Sequence, residues 1–211
     1  MSANREPIVD AEGISKSYAQ VPALTSLSLR IQPGERVALA GPSGSGKTTL
    51  LYLLAGILQP DEGQLYIDNR SLSHLQPGRE LSKLVGIIHQ QYDLVPHLPV
   101  IHNVLAGRLG QWSLFRSLIS LVWPQDRQVA LSQLAKLGIA DKAQERTSHL
   151  SGGEQQRVAI ARVMVQSPSV VLADEPVASL DPARAEDMLR LLTELTTSSG
   201  KTLIASLHSP Y

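Results

Sequence analysis

The run Gly41-Pro42-Ser43-Gly44-Ser45-Gly46-Lys47-Thr48-Thr49 constrains this chain more than any other stretch. It satisfies G-x-x-x-x-G-K-[ST] in the required context: Arg36 to Ala40 reads as a short apolar strand before it, and Thr49 to Gly56 as a buried helix after it. The glycines let the backbone fold back and aim several N–H groups at a phosphate chain, and a helix starting at Gly46 adds its positive end. Lys47 can then reach terminal phosphates, and the Thr48 hydroxyl can bind Mg²⁺. A Gly/Ser-rich turn holding nothing would need neither the strand, the Lys-Thr pair nor the helix. The stretch predicts a bound nucleoside triphosphate.

A length of 211 residues supports one domain, or one with an inserted subdomain. Lys plus Arg and Asp plus Glu each number 19, which argues against broad phosphate neutralisation and hence against a nucleic-acid partner. The absence of cysteine excludes disulfides and thiolate metal sites and fits a reducing compartment. Met1 to Asp10 lacks the apolar core of a signal peptide. The longest apolar run, Leu50 to Leu58, is interrupted by Gly56 and is half the roughly 18 residues that span a bilayer. A soluble, cytoplasmic chain is expected, reaching a membrane only through a partner.

Residues Ile8 to Ile31 read as short strands with a turn at Pro22 and a rough alternation of Leu24, Leu27, Leu29 and Ile31. Tyr18 could stack on a base or be an ordinary half-buried strand-end tyrosine. Gln64 to Asp68 and Leu84 to His89 look like further strands. From Asp93 to His149 the character turns helical, with Gln125 to Leu137 on a helical period. Both tryptophans and the only phenylalanine, Trp112, Phe115 and Trp123, fall here, as a docking surface or as a small core. The alternation then resumes: a helix over Glu154 to Val165, a strand over Ser169 to Ala173, a helix from Pro182 to Thr196, and a last strand, Thr202 to Leu207, leading to His208. The pattern predicts an α/β fold with a mostly parallel sheet that binds ligands at the carboxyl ends of its strands, an N-terminal antiparallel β portion, and a helical insertion. We divide it into a nucleotide-binding core, residues 1–92 and 150–211, and a helical subdomain, residues 93–149.

Asp174 and Glu175 end an apolar strand, where the chain can turn and send both carboxylates to one edge. Facing the phosphate loop, Asp174 would hold Mg²⁺ and Glu175 would orient an attacking water. Ser151 and Glu154 form S-x-x-E, the capping box of a helix start. Gly152 and Gly153 inside that box also clear side chains from a place where a helix N-terminus would meet a phosphate. The local chemistry alone does not separate these two readings of Ser151 to Glu154.

The chain resembles the ATP-binding cassette ATPases over nearly its whole length, with that family's motifs in order. GPSGSGKTT resembles the family's phosphate loop, Gln90 its Q-loop glutamine, Leu150-Ser151-Gly152-Gly153-Glu154 its signature sequence, and Val170 to Glu175 its Mg²⁺ and catalytic strand. Ser179-Leu180-Asp181 resembles its D-loop and His208 its switch histidine, while Tyr18 matches its adenine-stacking aromatic. The resemblance implies a P-loop NTPase core of the RecA-like kind and two copies closing head to tail on ATP and Mg²⁺. Each copy would bind ATP through Tyr18, Gly41 to Thr49 and Gln90, with Thr48, Gln90 and Asp174 at the metal. Ser151, Gly152, Gly153, Glu154 and Asp181 would meet the nucleotide held by the other copy. Glu175, His208 and Lys47 would carry the hydrolysis. Integral membrane permease subunits and a substrate-binding protein are the implied partners, placing the chain on the inner face of the cell membrane.

Within the family, Leu94-Val95-Pro96, residues 103–110, residues 174–182 and Ser206-Leu207-His208 resemble importers of phosphonates and related phosphorus oxyanions. Another importer, or a lipoprotein or peptide exporter, stands behind that reading. A chromosome or DNA-repair member would need a long coiled coil between Lys47 and Ser151, where no sustained heptads occur. A small-molecule kinase leaves Leu150 to Glu154 and His208 unexplained, and a regulator with little turnover leaves Glu175 and His208 unexplained. Two features depart from the family. Glu154 stands where glutamine is usual and puts a carboxylate near the incoming phosphates, which predicts weakened closure. The sequence also stops three residues after His208, where relatives continue with a strand and helix, which puts the packing behind His208 and the dimer's stability in question.

Overall fold

The computed structural model describes residues 6–75, 78–122, 125–178 and 180–207. Its first elements form an antiparallel hairpin, β1 (Val9–Tyr18) and β2 (Val21–Ile31). The chain reverses at Ala19 and Gln20, left-handed with φ of 44° and 72°, and not at Pro22 as the sequence suggests. Pro22 lies inside β2, which tolerates it because β2 is the edge of its sheet.

β3 (Arg36–Ala40) leads through the phosphate loop into α1 (Lys47–Leu54). β4 (Glu62–Ile67) and β5 (Arg70–Ser71) complete an antiparallel sheet in the order β2-β1-β4-β5. A single turn of helix, α2 (Leu81–Leu84), too short to show a period, precedes β6 (Val85–Ile88). Three helices follow: α3 (Val100–Leu105), α4 (Leu114–Val122) and α5 (Arg127–Lys136). The described residues close with α6 (Gly152–Gln166), β7 (Val170–Ala173), α7 (Pro182–Ser198) and β8 (Thr202–Leu207). The second sheet is wholly parallel, in the order β3-β8-β7-β6.

Both faces of the parallel sheet are covered along β6, β7 and β8, while the edge strand β3 leaves Arg36, Ala38 and Ala40 exposed; the strand period of two divides the side chains between two cores. Val170, Leu172 and Ile204 enter one core with α1, β1 and β4. Val171, Ala173, Leu203 and Ala205 enter the other with α3, α5, α6 and α7. Burial on both sides is why these strands read as continuous apolar runs rather than alternating ones.

Of the aromatics of residues 112–123, the two among the described residues, Trp112 and Phe115, do not share a small core. Trp112 is half-buried against the second core and carries the Arg116 guanidinium 5.2 Å from its ring centre. Phe115 is 75% exposed, and Trp123 lies outside the described residues. α4 turns Leu114, Phe115 and Leu118 to solvent and buries Ser120.

Candidate active site

The phosphate loop joins the end of β3 to the start of α1 and is built around glycine. Gly44 and Gly46 are left-handed, with φ of 80° and 88°. A Cβ on Gly46 would also lie 2.5 Å from the Ala23 carbonyl oxygen of β2, so position 46 excludes every other residue twice over. Lys47 Nζ donates to the carbonyls of Gly41 at 2.7 Å and Pro42 at 2.9 Å, which holds the ammonium inside the ring of the loop. Pro42, Ser43, Gly44, Ser45 and Thr48 are exposed around it, while Thr49 is half-buried on α1.

Parallel register brings the rest of the chemistry to the same edge. Ala40 pairs with Leu207, Ala173 with Ala205, and Ile88 with Ala173, so all four strands finish together. The residues after β3, β7 and β6 are the phosphate loop, the Asp174-Glu175 pair and, two positions beyond Ile88, Gln90. Asp174 is 5% exposed, and its Oδ1 accepts from Thr48 Oγ1 at 3.1 Å and from Ser206 Oγ at 2.8 Å. Glu175 is left-handed, with φ of 48°, and its N–H donates to Ser206 Oγ at 2.8 Å. That reversal at Glu175 keeps two consecutive acids at one strand end. Behind the pair, the Gln156 amide of α6 donates to the Pro176 carbonyl.

Ser206 is the residue that sequence reasoning missed. It is fully buried on β8 and bridges the Asp174 carboxylate to the Glu175 backbone. Its signal was a hydroxyl among the apolar residues that follow Thr202 in this strand, which must find a partner once buried. His208 and Ser179 lie outside the described residues. Gln90 is exposed and takes no part in the bonds that join Thr48, Asp174 and Ser206.

Thr48 Oγ1 and Asp174 Oδ1 present two hard oxygens at hydrogen-bond distance beside the phosphate cradle. This donor set suits Mg²⁺, which takes one or two protein oxygens and draws its remaining ligands from phosphate and water. Tyr18 closes the free end of the hairpin, 47% exposed and paired with Val21, while Ala23 farther along β2 touches Gly46. The hairpin tip therefore stands beside the loop.

The start of α6 is separate from this cluster. Ser151 caps it, with its Oγ 3.4 Å from the Glu154 N–H, and the Glu154 carboxylate returns to the Ser151 N–H at 2.8 Å and hydroxyl at 2.7 Å. The Ser151 hydroxyl, then its N–H, hold Glu154 below the usual carboxylate range. Side chains at Gly152 and Gly153 would meet only open space. Asp181 caps α7, accepting from the Arg184 N–H at 3.2 Å.

A family model described as ABC transporter matches residues 24–178. The chain is 46% identical over 199 residues to the phosphonates import ATP-binding protein PhnC of Pseudomonas putida, covering 93% of this chain and 74% of that protein. It is 44% identical over 206 residues to PhnC 1 of a Nostoc species, covering 95% and 77%. Among solved structures it superposes on a dimeric post-hydrolysis state of the ATP-binding cassette MJ0796 bound to ADP and Pi. The TM-score is 0.80 and the identity 33%, covering 95% of this chain and 88% of that one.

Proposed function

The chain belongs to the ABC transporter family, and on that premise we propose that it powers import of phosphonate or a related phosphorus oxyanion. It is a cassette ATPase, and its fold is that of a P-loop NTPase. Relatives named for phosphonates import support the substrate class, matched along nearly the whole chain. Membrane permease subunits and a substrate-binding protein are the proposed partners, with the chain on the cytoplasmic face. Among the described residues no helix is long and apolar enough to cross a membrane.

The arrangement of Thr48, Asp174, Ser206 and Glu175 at the mouth of the phosphate loop carries the mechanism. Lys47 and the loop N–H groups, from Gly41 to Thr49, hold the β- and γ-phosphates, and Tyr18 stacks on the adenine. Thr48, Asp174 and Gln90 hold Mg²⁺, which neutralises charge on the phosphate oxygens when bound. Glu175 orients the attacking water, and His208 holds water and γ-phosphate in register. Ser151, Gly152 and Gly153 of a second copy close over the γ-phosphate, with Glu154 and Asp181 beside them. ATP thereby stabilises a dimer that hydrolysis releases.

Glu175→Gln is expected to keep ATP binding, abolish hydrolysis and accumulate an ATP-bound dimer in light scattering. A variant that stays monomeric with ATP at high protein concentration rejects the sandwich. With the membrane subunits in liposomes, phosphonate delivered by its binding protein should stimulate hydrolysis; equal turnover without it rejects the substrate class.

A further inference from the structure

Arg162 is a half-buried cation that belongs neither to the phosphate-loop cluster nor to the start of α6. It lies about three turns along α6 from Ser151. Its Nη2 donates to the Tyr92 carbonyl at 2.6 Å and its Nη1 to the Asp93 carbonyl at 2.7 Å. Both carbonyls belong to the loop that carries Gln90, and both residues are left-handed, with φ of 60° at Tyr92 and 46° at Asp93. Residues other than glycine seldom hold that conformation singly, and here two hold it in succession. A planar guanidinium fork fits two successive carbonyls in a way that a single ammonium cannot.

The base of this side chain is fixed as firmly as its tip. Gly107, in the turn over residues 106–108, approaches α6 so closely that a Cβ there would lie 2.2 Å from the Arg162 carbonyl oxygen. Loss of water around the guanidinium weakens its hold on the proton, and the Asp93 carboxylate opposes that effect. The same carboxylate lies 3.8 Å from His89 Nε2 on the other side.

We propose that Arg162 is a positioning residue. It locks the Gln90 loop to the helix that begins with Ser151, Gly152 and Gly153, so that one copy's two phosphate-contacting surfaces move as a single piece. This rests on the roles proposed above for Gln90 and for the α6 N-terminus. ATP that draws Gln90 toward its own phosphate loop then also swings α6 toward the partner's nucleotide. Without the fork, the loop responds to nucleotide while α6 lags.

Two variants test this in the full-length chain. Arg162→Met keeps an apolar stem and removes the donors; Arg162→Lys keeps the charge but not the fork. In the nucleotide-free protein, amide exchange at residues 90–93 should quicken about tenfold in the Met variant and less in the Lys variant, with α6 itself still protected. In a Glu175→Gln background, ATP-driven dimerisation should weaken by about tenfold in the Met variant and less in the Lys variant, while ATP affinity of the monomer stays within about threefold. A purely structural role would lower the melting temperature and leave the dimer constant at its parental value. That result, or unchanged loop exchange in both variants, overturns the proposal. If Arg162→Met does not fold, the Lys variant carries both measurements. If the Glu175→Gln parent itself fails to dimerise, the sandwich falls, and the lock stands or falls on loop exchange alone.

Discussion

Ser206 gives the two acids their geometry, so its loss should separate binding from turnover. Ser206→Ala removes a donor from the buried Asp174 carboxylate and the acceptor of the Glu175 N–H. Stranding those groups should cost about 1–3 kcal/mol of stability, read by chemical denaturation. Steady-state hydrolysis should fall at least about tenfold in kcat with little change in nucleotide affinity, because Glu175 loses its anchor while the loop does not. Asp174 and Glu175 are legible in the sequence as acids ending an apolar strand. Ser206 is not, because its partners lie 31 and 32 residues away and only the parallel register brings them to it. Glu154 carries a second expectation. Its carboxylate accepts the Ser151 hydroxyl, so it competes for that hydroxyl with the phosphate Ser151 is proposed to meet. Glu154→Gln should raise ATPase activity, and a fall would contradict this account. The pH dependence has a definite sign. A carboxyl held below its ordinary value of 4.5 stabilises the fold fully above that pH, and the contribution is lost as pH falls through its lower folded value. Acid unfolding of Glu154→Gln should lack that component.

α4 shows where pattern reading stops. Its apolar and polar positions alternate on a helical period, which is enough to expect a helix but does not say which side faces inward. The usual assumption gives the wrong side, since Leu114 is 86% exposed and Ser120 is buried. Phe115→Ser should therefore change folding stability by no more than about 0.5 kcal/mol, whereas Leu134→Ala, on the fully buried side of α5, should cost about 2–5 kcal/mol. Equal losses in urea unfolding would show that α4 packs inward after all. The hairpin turn escaped for a different reason. Ala19 and Gln20 hold positive φ without the Gly or Asn that normally marks such a turn, so the nearby proline drew attention instead. The capping box of α6 was legible because its two partners are three residues apart and need no tertiary context.

A cassette whose Gly152 and Gly153 face open space, and whose Ser151 and Glu154 side chains bond each other rather than the phosphate loop, is expected to work in pairs, and two inactive variants can decide the point. Lys47→Ala disables a copy's own phosphate loop but leaves its α6 start intact. Gly153→Asp does the reverse: a side chain at position 153 meets open space, and an acid in the first turn favours the helix, so the fold survives while a carboxylate repels the partner's phosphate. In a head-to-tail dimer of one copy of each, one of the two sites combines the intact loop of the second with the intact α6 start of the first. Random mixing in equal amounts makes about half the dimers mixed, so about a quarter of the parental activity should return if sites act independently. Activity that depends on mixing must also disappear on dilution, because the restored site exists only in the dimer. If the mixture stays as inactive as its components, or the parent's turnover per molecule holds constant to extreme dilution, each copy hydrolyses alone and the open face of Gly152 and Gly153 needs another explanation.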